Sequence, residues 1–149
     1  MTLPERRIID FIGEHHILTI AVSKNNEPYC ATCYYVYLQE LNKFVFTSDP
    51  DTRHIRDMVE GNNHKAAGTI ALETKIVGKI RGIQFTGMIS KLEGDQLKIA
   101  RSAYLKRFPI ARLIPGLHLW VLEPDFIKMT DNRLGFGKKL VWMAEKSGK

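Results

Sequence analysis

The sequence predicts an α+β, mostly β fold: an antiparallel six- or seven-stranded barrel with about three peripheral helices. Three observations carry this expectation. Short runs rich in apolar, aromatic and β-branched residues recur along the chain, among them Ile17 to Val22, Phe44 to Thr47 and Arg81 to Leu92. Successive runs are joined by turn signals such as Asn25-Asn26, the mark of hairpins rather than of alternating strand–helix units. Closing such a sheet into a barrel removes the exposed edges it would otherwise carry. The 149 residues fit a single domain, and no repeat or Pro/Gly/Ser-rich linker divides them.

The elements follow in order. Thr2-x-x-Glu5 reads as a capping box, Pro4 is tolerated in a first turn, and Ile8, Phe11 and Ile12 form one apolar helix face that Gly13 ends. Ile17 to Val22 is apolar on both faces, which predicts a central strand. Asn25-Asn26 tolerates positive φ and predicts a hairpin to Tyr29–Leu38. A second turn at Leu41-Asn42-Lys43 leads to strand Phe44–Thr47. Asp and Pro then open a helix from about Thr52 to Glu60, with Ile55, Met58 and Val59 as its buried stripe. Lys65 to Leu72 is a strand. Arg81 to Leu92 alternates, with Ile83, Phe85 and Ile89 on one face and Gln84, Thr86 and Ser90 on the other; Gly87 predicts a bulge or a close backbone approach. A helix from about Asp95 to Arg107 buries Leu97, Ala100 and Tyr104 and stops at Pro109. Leu117–Leu122 and Phe126–Thr130 read as two strands broken at Pro124, and a short strand ends the chain near Trp142.

Composition narrows the function classes. No apolar run approaches the ~18 residues of a membrane span. Charges scattered through Met1 to Glu14 interrupt any signal-peptide core, so a cytoplasmic location is expected. The net charge of +6 would suit nucleic acid or a phosphorylated small molecule, but the positive residues form no dense run, and a mildly basic solvated surface explains them as well. The helix bearing Lys98, Arg101, Lys106 and Arg107 reads as such a solvated face. The two cysteines, Cys30 and Cys33, are spaced as in metal or redox motifs. A structural zinc needs four ligands and a redox pair sits at a helix start, whereas these lie on a strand. Three residues apart on a strand, their sulfurs point to opposite faces.

One constellation is suited to chemistry. Strand Phe44–Thr47 ends at Thr47-Ser48, and a helix begins a few residues later with Thr52-Arg53-His54. Unpaired N–H groups and the positive dipole end make a helix start an anion seat; an arginine, an imidazole and three hydroxyls add charge-assisted donors. The plainer alternative is that Asp51 and Thr52 cap the helix and Arg53 is solvated. Gln84 offers an amide that donates and accepts at once, which suits a pyrimidine-like edge, or it simply faces water. In Gly135-Phe136-Gly137-Lys138-Lys139 the glycine-flanked lysines could reach a phosphate, in their own subunit or across a dimer interface, or form an ordinary turn; the spacing matches neither a P-loop nor a dinucleotide fingerprint. The five histidines show no zincin spacing, and no nucleophile elbow is present.

This order of elements, with Phe44-Val45-Phe46-Thr47-Ser48, Thr52-Arg53-His54, Arg81-Gly82-Ile83-Gln84-Phe85-Thr86-Gly87 and the tail Thr130 to Lys139, resembles the pyridoxamine 5′-phosphate oxidase-like FMN-binding split barrels over nearly the whole chain, and within them a small subfamily. The resemblance implies a homodimer with FMN at the interface. It implies a phosphate site at Thr47, Ser48, Thr52, Arg53 and His54, and a second strand whose backbone, at Ala31 to Tyr34 and so including Thr32 and Cys33, runs along the flavin ring. A family glutamine on the long strand touches the flavin; Gln84 stands two residues from that place on the same face. Lys138 and Lys139 are the remaining candidate cofactor contacts. The family oxidases show Ser-Arg-Lys where this chain has Thr52-Arg53-His54, and their arginine-rich C-terminal ending is not visible, which argues against pyridoxamine phosphate as substrate.

The expectation is therefore an FMN-dependent redox enzyme acting on a small molecule, with hydride transfer supplied by the flavin. Two rivals stand beside it: a flavin-binding or sensor protein without turnover, and, third, a barrel that binds single-stranded nucleic acid by stacking.

Overall fold

The computed structural model describes residues 1–146. Seven antiparallel strands form one sheet in the order β3-β2-β1-β4-β5-β6-β7, and β3 also pairs with β6, which closes a six-stranded barrel with β7 appended. The strands are β1 (Ile17–Lys24), β2 (Glu27–Leu38), β3 (Lys43–Thr47), β4 (Lys65–Ala71), β5 (Arg81–Lys91), β6 (Leu119–Asp131) and β7 (Lys139–Met143); the helices are α1 (Arg6–Glu14), α2 (Arg53–Glu60) and α3 (Gly94–Arg107).

Inward residues of every barrel strand meet in one core, including Leu18, Ile20, Tyr35, Phe44, Phe46, Phe85, Trp120 and Ile127. Phe44 stacks on Phe85 across it, with ring centroids 4.8 Å apart. Ile8, Phe11 and Ile12 of α1 and Ile55 and Met58 of α2 join the same cluster. On the outside, α3 and the 3₁₀ turn Pro109–Leu113 cover β2, β3 and β6 through a second cluster of Val36, Val45, Ala100, Tyr104, Ala111, Leu119 and Val121.

Both asparagines of the β1–β2 turn have positive φ, 52° and 64°, as a tight two-residue hairpin requires. The expectation at Gly87 is met as a close backbone approach to a bulge: Thr86 pairs with Phe126 and Gly87 with Pro124, so the extra residue, Asp125, bulges from β6 opposite Gly87. A Cβ at Gly87 would stand 2.3 Å from the Glu123 carbonyl oxygen and 2.9 Å from Pro124 Cα, both backbone. Gly87→Ala should therefore cost roughly 1–3 kcal/mol, read as a lowered denaturation midpoint. A variant as stable as the parent would show that the bulge can open without strain.

Several sequence expectations are corrected. Glu5, not Thr2, is the N-cap of α1, and no side chain caps it. The Thr2 carbonyl instead accepts from the Trp142 indole, 3.0 Å, tying the start of the chain to β7. Gly13 lies inside α1, which runs on to Glu14. Val59 is exposed; His54 takes its place on the buried stripe of α2. Pro124 does not divide two strands: β6 is continuous, because the bulge opposite Gly87 absorbs the missing N–H. β1 is central, between β2 and β4, yet it is not covered on both faces, since Ile17 is exposed. Arg107 is no solvated cation; its guanidinium donates to the Gly13 and His15 carbonyls at the end of α1, where a positive charge meets the negative helix terminus.

Candidate functional site

The site is built where β2 outruns its neighbour. β2 pairs with β1 along its whole first part, from Glu27 to Tyr34, but with β3 only from Tyr35 to Leu38. In an antiparallel ladder alternate residues turn their peptide groups to alternate neighbours. Tyr35 donates its N–H to His16, on the β1 side, so the peptide groups of Cys30 and Thr32 face the other way, toward an edge with no strand on it. β3 leaves that edge at Thr47, and the chain turns through Ser48–Asp51 into α2.

At this corner the side chains separate by parity. Thr47 points outward and donates to the His118 carbonyl, 2.9 Å. Ser48 points inward and bonds His54 Nε2. Both are nearly closed off, at 9% and 7% exposure. Cys33 is buried as well; burial pushes its thiol up to about 11, so it stays protonated and unreactive at neutral pH. Burial holds His54 below the ordinary histidine range, so it is a neutral hydrogen-bonding partner rather than the cation considered from the sequence. Trp120 anchors the corner from below by donating to the Ser48 carbonyl, 2.9 Å.

Thr52 is the N-cap of α2, but its hydroxyl does not cap. It turns back to the Asp49 carbonyl, 2.7 Å, and leaves the first N–H groups of the helix without a side-chain partner. Arg53 leans over the Tyr29 ring, 4.3 Å to the centroid, and reaches Asp57, 3.3 Å, while half of its side chain remains exposed. It thus stands over the start of β2 and lines a shallow hollow of ≈ 250 Å³ with Lys24, Asn25, Glu27 and Asp57.

The other candidates sit on the open outer face. Thr32, Thr19, Thr69, Gln84 and Lys128 are consecutive register partners across β2-β1-β4-β5-β6, so Thr32 and Gln84 share a row. Three strand spacings put them about 14 Å apart. Lys139 pairs with Thr130, one row on from the Lys128–Val141 pair, and so belongs to the same face at its far side. Lys138 precedes β7, and its carbonyl accepts from Asp131. Within one chain the structure brings Cys33, Ser48, Thr52 and His54 together, with Arg53 beside them. It does not bring Gln84, Lys138 or Lys139 to them. Sequence reasoning missed Trp120 and Tyr29, which hold this corner from below and from the side. Neither has a local signature: each acts through a contact many residues away in the chain. Among the described residues no group of three His, Cys, Asp or Glu could hold a metal ion, and no helix is long and apolar enough to cross a membrane.

No protein-family model matches the chain. A UPF0306 protein of Klebsiella pneumoniae (strain 342) is 44% identical over 132 residues, 89% of this chain and 88% of that one. The UPF0306 protein YhbP of Escherichia coli O157:H7 is 38% identical over 133 residues, again 89% and 88%. This chain belongs to the UPF0306 family. Among solved structures, the UPF0306 chain resembles a heme binding protein from Mycobacterium smegmatis (TM-score 0.72, 19% identity), covering 86% of this chain but only 52% of that one. It also resembles a pyridoxamine 5′-phosphate oxidase-related, FMN binding protein from Nostoc punctiforme (TM-score 0.70, 13% identity, 99% and 94% covered). A third is the heme storage protein HutZ from Vibrio cholerae (TM-score 0.65, 20% identity, 83% and 91% covered). At these identities the likeness shows the fold alone, the antiparallel barrel with peripheral helices described above.

Proposed function

We propose that this UPF0306 protein binds FMN and uses it in a redox reaction on a small molecule, as a homodimer that completes each site. One observation carries the reading: the strandless edge of β2 runs into the start of α2, so unpaired peptide groups and an anion seat lie side by side. FMN has that composition, a flat ring with hydrogen-bonding edges joined to a phosphate. The peptide groups of Cys30 and Thr32 are the donors and acceptors for the ring. The uncapped N–H groups of α2, the hydroxyls of Ser48 and Thr52 and the Arg53 guanidinium are the phosphate donors. Bound flavin would supply the hydride chemistry; the chain would position it and exclude water. The outer row from Thr32 to Gln84 and Lys139 is left for the second subunit, which explains how groups apart in one chain would serve one site. A cytoplasmic location is part of the same proposal.

Arg53→Ala tests the reading. Purified protein should take up FMN with quenched fluorescence, and the variant should bind it about 10- to 100-fold more weakly, as a charge-assisted bond is worth roughly 1.5–3 kcal/mol. Equal affinity in both proteins would move the phosphate elsewhere. Anaerobic mixing of the FMN-loaded protein with NADH or NADPH then separates a reductase from a flavin carrier, which would stay yellow.

A second reading has support in the neighbours: two of the three proteins named above bind or store heme. Hemin titrated in the same assay decides it. A Soret band with no FMN uptake would replace the flavin reading with heme binding without turnover.

A further inference from the structure

The flavin reading leaves the Gly135–Lys138 stretch without a role, and the structure sets it beside a second loop. The β4–β5 and β6–β7 connections lie at the same end of the barrel, because their strands are antiparallel neighbours. Asn132 ties the two loops together. Its backbone N–H donates to the Ile80 carbonyl, 3.0 Å, and its Nδ2 to the Val77 carbonyl, 2.9 Å. Its Oδ1 accepts from the Gly137 N–H, 3.4 Å, in the loop that carries Phe136. Beside it Arg133 closes a double hydrogen bond on the buried Asp131 carboxylate, 3.0 and 2.8 Å. Gly135 and Gly137 have positive φ, 129° and 70°, a backbone that glycine adopts most readily, and Phe136 stands between them.

The joined loops display apolar side chains and cations together. Phe136 is 83% exposed, the most exposed large apolar side chain among the described residues, and Ile76, Val77 and Ile80 are exposed on the neighbouring loop. Single exposed apolar residues are ordinary, but four at one end of a barrel mark an interaction surface. Lys75, Lys79 and Lys138 are exposed among them, and none has a carboxylate partner among the described residues. The one acid in residues 72–80 and 132–138 is Glu73. A second copy of this surface would set lysines against lysines. A nucleic acid would take the lysines and stack on Phe136, but it would leave three aliphatic side chains in water. An anionic bilayer satisfies both sets at once: apolar side chains enter the boundary between headgroups and acyl chains, and lysines stay at the phosphates above them. We infer that this end of the barrel is a peripheral docking surface for an anionic lipid bilayer, with Phe136 as its wedge and Lys75, Lys79 and Lys138 as its charge anchors. No side chain of the Ser48 corner takes part, so the inference stands whether or not flavin binds.

The test uses the whole protein and lipid vesicles. With about 1 mM lipid, a level at which a partition constant of about 10⁴ M⁻¹ leaves most of the protein bound, it should sediment with vesicles of mixed phosphatidylglycerol and phosphatidylcholine. It should stay in solution with phosphatidylcholine alone. Phe136→Ser should weaken binding about tenfold, and Lys75→Glu combined with Lys79→Glu at least about twentyfold. All three positions are exposed, so the variants should fold and take up FMN as the parent does. Phe136→Trp adds a reporter whose emission should shift to the blue on the anionic vesicles and be quenched by brominated acyl chains. No binding of the folded parent to anionic vesicles would overturn the inference. So would binding that neither variant weakens, or a Phe136→Trp emission that brominated chains leave unquenched. Tighter binding to a single-stranded oligonucleotide, lost in the same variants, would assign the surface to nucleic acid instead. A dimer that Phe136→Ser dissolves would assign it to a subunit interface, and either result overturns the bilayer.

Discussion

Phe44→Ala should destabilise the protein by roughly 3–5 kcal/mol, among the largest losses that any single truncation in this core can cause. Phe44 is fully buried on the shortest barrel strand, between Tyr35 and Tyr37 on one side and Phe85 on the other. β3 is also the strand whose pairing with β6 closes the barrel. The lost ring therefore leaves a cavity at the seam, where neither β2 nor β6 can move in without breaking that pairing. Chemical denaturation, monitored by tryptophan fluorescence, gives the value. Phe44→Leu, which keeps most of the volume, should recover more than half of the loss. A cost below about 1.5 kcal/mol for Phe44→Ala would mean that the seam collapses onto the gap and is less rigid than its packing suggests.

That seam shows why the fold was largely legible in the sequence. Strand existence depends on local pattern, and each run of alternating or β-branched residues became a strand; the turn at Asn25-Asn26 and the bulge opposite Gly87 left the marks of their backbone requirements. The errors arose where a distant partner decides. Pro124 reads as a break because a proline cannot join a regular ladder. It is absorbed because the strand bulges at Asp125, opposite Gly87, whose missing side chain lets the two backbones come close. The Thr2 capping box satisfies a local pattern but is not formed, with the Thr2 carbonyl held by Trp142 at the other end of the chain.

The candidate site divides along the same line. The corner from Thr47 to His54 is continuous in sequence, and its members were identified together. What could not be read was parity across a turn: Ser48 and His54 face inward and bond each other, while Arg53 swings to Tyr29. Nor could the strandless edge of β2 be seen, since it follows from where β3 stops pairing, not from any residue on β2 itself.

Ser48→Ala is the second large effect, because that hydroxyl is the close partner of a buried imidazole. Its loss leaves His54 Nε2 with only the long 3.5 Å contact to the Thr52 hydroxyl, and a poorly satisfied buried polar group costs about 1–3 kcal/mol. The same pair gives a pH signature with a defined sign. Burial depresses the His54 pKa in the folded protein, while the unfolded chain protonates near the ordinary value of about 6.5. The unfolded state then binds more protons in the interval between the two values. The stability due to neutral His54 is thus complete above pH ~6.5, declines as the pH falls from there to the folded pKa, and is constant below it. His16 shifts in the same direction, through its own burial and the nearby charges of Arg107 and His15, so the slope of the parent protein contains both. His54→Gln, which keeps a hydrogen-bonding group toward Ser48 but cannot titrate, isolates the part that belongs to the corner. Melting temperatures measured from about pH 8 to pH 5 should fall less steeply in that variant than in the parent. Parallel curves would mean that His54 titrates alike folded and unfolded. The corner would then be open to water and its imidazole available as a cation to any anion seated there.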